Sequence, residues 1–171
     1  MEFTAAEKQA IEKLRTRYPE PRSLVLPLLW MIQKREGYIP EEAVSLIAEE
    51  LQIPPIWVEE PRTWYSMFNT QKKGKYIIEV CQNATCSVLG SEEIIDHICE
   101  RLQIKVGETT ADGMFTLQVA ECLGSCGTGP VMQIDDICYD LLTPEKVDQI
   151  LDDLRHGKVH EQQPLSFPEY Q

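Results

Sequence analysis

The chain has 171 residues, an ordinary composition of 43% apolar and 26% charged residues, and a formal net charge of −12. That length suits one domain, or a small helical unit beside a compact second domain. The acidity argues against a nucleic-acid partner, whose phosphates need a basic face, and gives no support for binding an anionic membrane surface. No apolar run approaches the ~20 residues that a membrane-spanning helix needs. Met1-Glu2-Phe3-Thr4 lacks the basic-then-apolar pattern of an export signal, so a cytoplasmic, reducing setting is expected. In that setting six cysteines point to metal ligands, catalytic thiols or core positions rather than to a disulfide framework.

The first part reads as helices. Thr4-Ala5-Ala6-Glu7 has capping-box form, and Ile11 and Leu14 begin an apolar stripe. A second helix is predicted from Ser23 to Glu36, with Pro27 in its first turn and Gly37 as its stop. A third spans Glu41 to Leu51, with Val44, Ile47, Ala48 and Leu51 on one face. Pro54-Pro55 ends it and permits a short helix through Trp57 and Val58. A separate short piece after Pro61 is expected to carry Trp64, Tyr65, Met67 and Phe68. The polar stretch Asn69 to Gly74 is the expected boundary, giving a helical docking domain over 1–70, a second domain over 71–156 and a tail over 157–171.

The second part changes character. Tyr76 to Val80 is a strand by its β-branched and aromatic content. Ser91 is expected to cap a helix whose stripe is Ile95, Ile98, Cys99 and Leu102. Asp112-Gly113 is a turn, and Phe115, Leu117 and Val119 alternate as a half-buried strand. Val131 to Ile134 and Ile137 to Leu142 flank Asp135-Asp136 as a hairpin. Thr143-Pro144 opens a last helix with Val147, Ile150, Leu151 and Leu154 inward. A strand–helix–strand unit makes its two strands parallel. The whole order, βαβ then ββα, is that of the thioredoxin-like fold.

Four cysteines form two tight pairs, Cys81-x4-Cys86 and Cys122-x3-Cys126, each placed just past a predicted strand. If the strands are neighbours, both pairs reach the carboxyl edge of one sheet, where open α/β sheets collect their ligands. Gly90, Gly124, Gly127 and Gly129 allow tight loops there and let backbone N–H groups approach sulfur. Three chemistries compete. A disulfide redox site wants Cys-x-x-Cys at a helix start, and neither pair has that spacing. Structural zinc tolerates both spacings but more often holds together units with little core. A [2Fe–2S] cluster needs four thiolates around an elongated two-iron rhomb, which two longer-spaced pairs suit.

Further motifs occur in order along the chain. They are Arg22-Ser23, Leu28-Leu29, Gln33, Gly37-Tyr38-Ile39-Pro40, Ile53-Pro54-Pro55, Thr63-Trp64-Tyr65-Ser66-Met67-Phe68, Gly107-Glu108-Thr109-Thr110, Asp112-Gly113 and Glu121-Cys122-Leu123-Gly124. With the paired cysteines and Gly90, this pattern resembles the small iron–sulfur subunit family of NADH:quinone oxidoreductase, respiratory complex I, from residue 5 to residue 155. Related subunits serve NAD-linked hydrogenases and formate dehydrogenases. The resemblance implies an α+β chain, helical first and then a thioredoxin-like ferredoxin domain. It implies one [2Fe–2S] cluster on Cys81, Cys86, Cys122 and Cys126, exchanging one electron with a flavin. It also implies a flavoprotein partner carrying FMN, a [4Fe–4S] cluster and the NADH site, a larger iron–sulfur subunit in the same complex, and a place in its peripheral arm. Two departures stand out: Trp64 replaces the family's usual Phe, and Gly129-Pro130 replaces a frequent Ala-Pro step.

The remaining candidates have plainer readings. No internal nucleophile, base or phosphate-binding loop is visible, so no catalytic residue is assigned. Cys99 and Cys138 are expected to be structural thiols. His97, His156 and His160 are expected to be solvated, and Trp30, Trp57 and Trp64 to pack in a core or a subunit interface. Glu41-Glu42 and Glu49-Glu50 read as exposed helix faces. The polar tail is expected to dock on a partner or on the chain's own surface.

Overall fold

In the computed structural model, which describes residues 1–158, the chain opens with the helix that Thr4 and Glu7 predict. Helix α1 covers Ala5–Arg15. The Glu7 N–H donates to the Thr4 hydroxyl at 3.2 Å and the Thr4 N–H to the Glu7 carboxylate at 2.7 Å, so each satisfies a backbone donor the other leaves open. A single 3-10 turn over Pro21–Leu24 leads into α2, Val25–Glu36, which stops where Gly37 adopts a φ of +80°. Helix α3 is Glu42–Leu51 and α4 is Ile56–Trp64. Ile11, Leu28, Leu29, Ile32, Ile39 and Ile47 have no exposed surface and form the core of this first unit, which ends at Lys73.

One expectation fails here. Pro61 does not separate two short helices; it lies inside the one helix α4. It removes a helical N–H donor at a cost of about 3 kcal/mol. Burial of Val58 and Arg62 on either side holds the helix together across it. The Arg62 guanidinium donates to the Ile39 carbonyl at 3.1 Å and to Glu59 at 2.8 Å, which ties α4 to the turn after α2. Of the two places expected for the tryptophans, a core or a subunit interface, the core of this unit is not the one they occupy. Trp64 is 83% exposed, Trp57 lies under the Arg22 guanidinium, and Trp30 meets Phe68 edge-on at the surface.

The second unit begins at Gly74 and holds one four-stranded sheet. Its strands are β1 (Tyr76–Cys81), β2 (Phe115–Ala120), β3 (Met132–Ile134) and β4 (Ile137–Tyr139), in the order β2-β1-β3-β4. β1 and β2 are parallel and paired over six residues, from Tyr76 opposite Phe115 to Cys81 opposite Ala120. β3 runs antiparallel to β1, and β4 antiparallel to β3. Two long helices, α6 (Ser91–Leu102) and α7 (Pro144–Arg155), bury their stripes in the core with Ile78, Val80, Phe115 and Leu117. Thr143 caps α7 as expected, accepting from the Lys146 N–H, and all four predicted stripe residues are buried.

The start of α6 differs from expectation. Gly90, at a φ of +95°, is the cap, and Ser91 is the first helical residue with its side chain fully buried. The inward stripe is correspondingly Ser91, Ile94, Ile98 and Leu102, with Ile95 and Cys99 at its margin. In β2 the expected alternation fails for its first half, since Phe115, Thr116 and Leu117 are all buried. The chain before it folds back along the strand's outer edge. Gly107 N–H donates to Leu117 O, Leu117 N–H to Glu108 O and Thr110 N–H to Phe115 O. The Thr116 hydroxyl is satisfied by Thr109 and by the Gly74 N–H, both at 2.7 Å. An edge that would otherwise offer free backbone groups is thereby closed.

His97 is not free in solvent: its Nε2 lies 3.0 Å from Asp148, which also accepts from Arg101, joining α6 to α7. His156 bonds the Asp152 carbonyl through Nδ1. His160 and the expected docking of the tail lie outside the described residues. Among the described residues no helix is long and apolar enough to cross a membrane.

Ile98 is fully buried between α6 and the sheet. Ile98→Ala is expected to cost about 2–5 kcal/mol, the usual range for emptying a core site. Urea unfolding followed by circular dichroism measures it, and an unchanged midpoint would contradict this packing.

Candidate metal centre

The six-residue parallel register delivers both cysteine pairs to one end of the sheet. Cys81 is the last residue of β1, and its N–H donates to Val131 O at 3.0 Å. The next N–H, of Gln82, donates across to Ala120 O, so β1 and β2 stay paired to their ends. Asn83 then caps a five-residue helix, α5 (Ala84–Val88), its side chain accepting from the Ala84 N–H. Cys86 sits on this helix rather than in the loop that the sequence reading expected. The missed signal was Asn83 in the N-cap position. Cys122 comes two residues beyond β2. Cys126 begins a three-residue 3-10 turn, Cys126–Thr128.

The four thiols differ in exposure. Cys81 and Cys86 are buried with Val131, while Cys122 and Cys126 face solvent. The free thiols are near enough to influence one another: Cys81 is affected by the Cys86 and Cys122 thiols, and Cys86 by the charges of Cys81 and Cys126. Among the described residues, no three His, Cys, Asp or Glu side chains are grouped so as to hold a single metal ion. Burial works to raise the Cys81 pKa. Backbone hydrogen bonds from Asn83 and Leu123, with side-chain hydrogen bonding by the Cys86 and Cys122 thiols, outweigh it and bring Cys81 below the ordinary thiol value. Cys86 is pushed up by burial and by the Cys81 sulfur beside it, against a backbone hydrogen bond from Val131.

Backbone donors therefore surround the sulfurs. Gly124, at a φ of +75°, adds an N–H donated to Cys122 Sγ at 3.4 Å. The donor set is four thiols, three of which, Cys81, Cys86 and Cys122, receive backbone N–H groups, and this fits a thiolate-held iron–sulfur cluster in chemistry. The Gly129-Pro130 step fits as well. Gly129 has a φ of −64°, open to any residue. A Cβ there would meet a terminal methyl of half-exposed Leu89 at 2.9 Å and Cys86 Sγ at 3.5 Å.

The other two cysteines part company. Cys99 sits at the margin of the α6 stripe, and burial raises its pKa, with Asp96 adding to the effect. Cys138, read from the sequence as a structural strand residue, packs against the buried Cys81, Cys86 and Val131 together with Leu123. Burial and Asp140 raise its pKa, against a hydrogen bond with the Ser125 side chain.

The family model described as thioredoxin-like [2Fe–2S] ferredoxin matches residues 11–155. This chain belongs to that family. Within it, the chain is 37% identical over 148 residues to an NADH-quinone oxidoreductase subunit of Rhizobium meliloti (strain 1021), covering 86% of this chain and 88% of the relative. It is 38% identical over 151 residues to an NADH-quinone oxidoreductase subunit of Escherichia coli (strain K12), covering 88% and 91%. Among solved structures, the NAD+-reducing [NiFe]-hydrogenase in its air-oxidized state shares the fold over 80% of this chain, with a TM-score of 0.67 and 19% identity. This chain spans 24% of that hydrogenase chain. The α+β reading, helices followed by a thioredoxin-like ferredoxin sheet, is thus correct.

Burial predicts an order of thiol reactivity for this thioredoxin-like ferredoxin. In the reduced chain stripped of metal, iodoacetamide is expected to label Cys122 and Cys126 well before Cys81 and Cys86. Peptide mass spectrometry reads the order, and early labelling of Cys86 would contradict the buried placement of α5.

Proposed function

We propose that this chain holds one [2Fe–2S] cluster on Cys81, Cys86, Cys122 and Cys126. On this reading it is the electron-transfer subunit of an NADH-oxidising, quinone-reducing complex, exchanging one electron with the FMN of a partner flavoprotein. The observation that carries the reading is the meeting of two cysteine pairs at one sheet edge, in a chain about as long as its NADH-quinone oxidoreductase relatives and similar over nearly all of it. When bound, the cluster supplies a site that gains and loses one electron.

The protein's own part is to hold and charge-balance four sulfurs. The lowered pKa of Cys81 favours the thiolate that metal binding requires. The Gly124 N–H and the backbone bonds from Asn83, Leu123 and Val131 stabilise negative charge on sulfur, which tunes a cluster's potential. Buried Cys81 and Cys86 form an inner wall. Exposed Cys122 and Cys126 form an outer one, through which a partner's redox group can approach.

NADH and FMN are assigned to the partner flavoprotein, which also carries a [4Fe–4S] cluster, and this chain has no active site of its own. The helical first unit is assigned to docking within the complex, beside the larger iron–sulfur subunit, in a cytoplasmic peripheral arm. The identity to NADH-quinone oxidoreductase relatives favours quinone oxidoreductase as host over an NAD-linked hydrogenase or formate dehydrogenase.

The test is iron and acid-labile sulfide content in single variants of the full chain purified without oxygen. Cys81→Ser, Cys86→Ser, Cys122→Ser and Cys126→Ser are each expected to lose most of the cluster, and Cys99→Ser to keep it. Gly129→Ala is expected to keep it too, with Leu89 swung aside. Stoichiometric zinc without iron in the native chain would overturn the proposal in favour of a structural module.

A further inference from the structure

The turn that carries Cys126 places no side chain in the core: none of Cys126, Gly127 and Thr128 is buried. The turn closes on itself through the Thr128 N–H, which donates to the Ser125 carbonyl at 3.2 Å. Two further backbone bonds tie it to the segment between β4 and α7. The Thr128 carbonyl accepts from the Leu141 N–H at 2.8 Å, and the Pro130 carbonyl from the Leu142 N–H at 3.1 Å.

That segment is itself held at both ends. Leu142 is buried in the core of the second unit. Leu141 is 60% exposed, yet its backbone is left-handed, at a φ of +44°. A bulky residue rarely adopts that conformation, and such strain persists only where the surroundings impose it. Packing of an outward side chain does not impose it; the bond from the Leu141 N–H to Thr128 does. Just before Leu141, the Asp140 carbonyl accepts from the Lys146 ammonium, and the Asp140 carboxylate lies 3.6 Å from the same nitrogen. Lys146 is in the first turn of α7, next to the fully buried Val147. A carbonyl bonded to an ammonium is held more strongly than one bonded to a neutral donor. Support thus runs from α7 through Lys146 to residues 140–142, and from there to both ends of the stretch from Thr128 to Pro130.

We infer that Leu141 and Lys146 are positioning residues for the metal centre, an inference that rests on the cluster proposed above. Leu141 acts through its N–H rather than its side chain. Lys146 holds the segment in the conformation that aims this N–H at Thr128. Together they brace the Cys126 turn and limit how far its exposed sulfur can move from the other three. They act on the centre through Cys126, setting how firmly and at what potential it is held.

The test compares Leu141→Pro, Leu141→Gly, Lys146→Met and Lys146→Arg in the full chain. Lys158→Met, which breaks the exposed ion pair with Asp153, is the control. The readouts are the rate of iron release to a chelator, the EPR line shape of the reduced centre and its midpoint potential. Loss of a supporting partner behind a ligand typically weakens metal binding 10- to 100-fold. Leu141→Pro removes the N–H and forbids the left-handed backbone. It and Lys146→Met are each expected to release iron roughly tenfold faster, to shift the potential in the same direction and to alter the line shape. The double variant is expected to do no more than Leu141→Pro alone, because the two residues act through one link. Leu141→Gly keeps the N–H and adopts a positive φ freely, so it is expected to match the native chain. Lys146→Arg, which keeps a cationic donor, is expected to fall near it, and Lys158→Met to match it.

Native release, line shape and potential in both Leu141→Pro and Lys146→Met would overturn the inference. So would a lowered melting temperature alone in Lys146→Met, or a loss in Leu141→Gly as large as in Leu141→Pro. If Leu141→Pro fails to fold, Lys146→Met against Lys146→Arg decides the matter by the same readouts. A native chain without a [2Fe–2S] signal would instead sink the cluster proposal on which this one stands.

Discussion

The parallel pairing of β1 with β2 is the constraint on which the rest depends. Six residues are held in register, and the pairing ends with Cys81 opposite Ala120. Ile78, Val80 and Leu117 lie in the core that fixes this register. A slip of one residue would turn those side chains outward and expose apolar surface at a cost of about 1.5–3 kcal/mol for each. The same slip would separate the two cysteine pairs. Packing on one face of the sheet thus decides whether four sulfurs can meet at its end.

The sulfurs then acquire unequal surroundings from the local chain. α5 turns Cys86 inward beside Cys81, and the bends and 3-10 turn after β2 leave Cys122 and Cys126 outward. Backbone N–H groups replace some of the water that buried thiolates lose, which is why Cys81 can sit in an apolar place with a lowered pKa. The turn that begins at Cys126 is tied to the residues after β4, because the Thr128 carbonyl accepts from the Leu141 N–H and the Pro130 carbonyl from the Leu142 N–H. Backbone groups that touch no metal can thereby tune a centre held by these sulfurs.

Much of this was legible in the sequence because the signals were local. Thr4 with Glu7, Gly37, and Thr143 with Pro144 mark helix ends by direct backbone chemistry, and each acts as expected. The cysteine spacing and the strand order placed the candidate centre. What escaped depended on tertiary context. Pro61 is carried inside α4 by the burial of Val58 and Arg62, which outweighs the proline's local preference. Gly90 rather than Ser91 caps α6, because a left-handed residue was needed there and the serine was needed inside. Thr116 is buried by a segment folding back from residues 107–110, a contact that alternation within β2 cannot reveal. Cys138 looked like any strand residue until the register put it on the face of Cys81.

The central claim is that four thiolates of this chain bind a two-iron cluster that accepts one electron. The most direct measurement is the visible absorption and EPR spectrum of the isolated chain, before and after dithionite. The account predicts a visible band that bleaches on reduction as a rhombic signal integrating to one electron per chain appears. A colourless, EPR-silent protein from anaerobic preparation, with its cysteines intact, would contradict it.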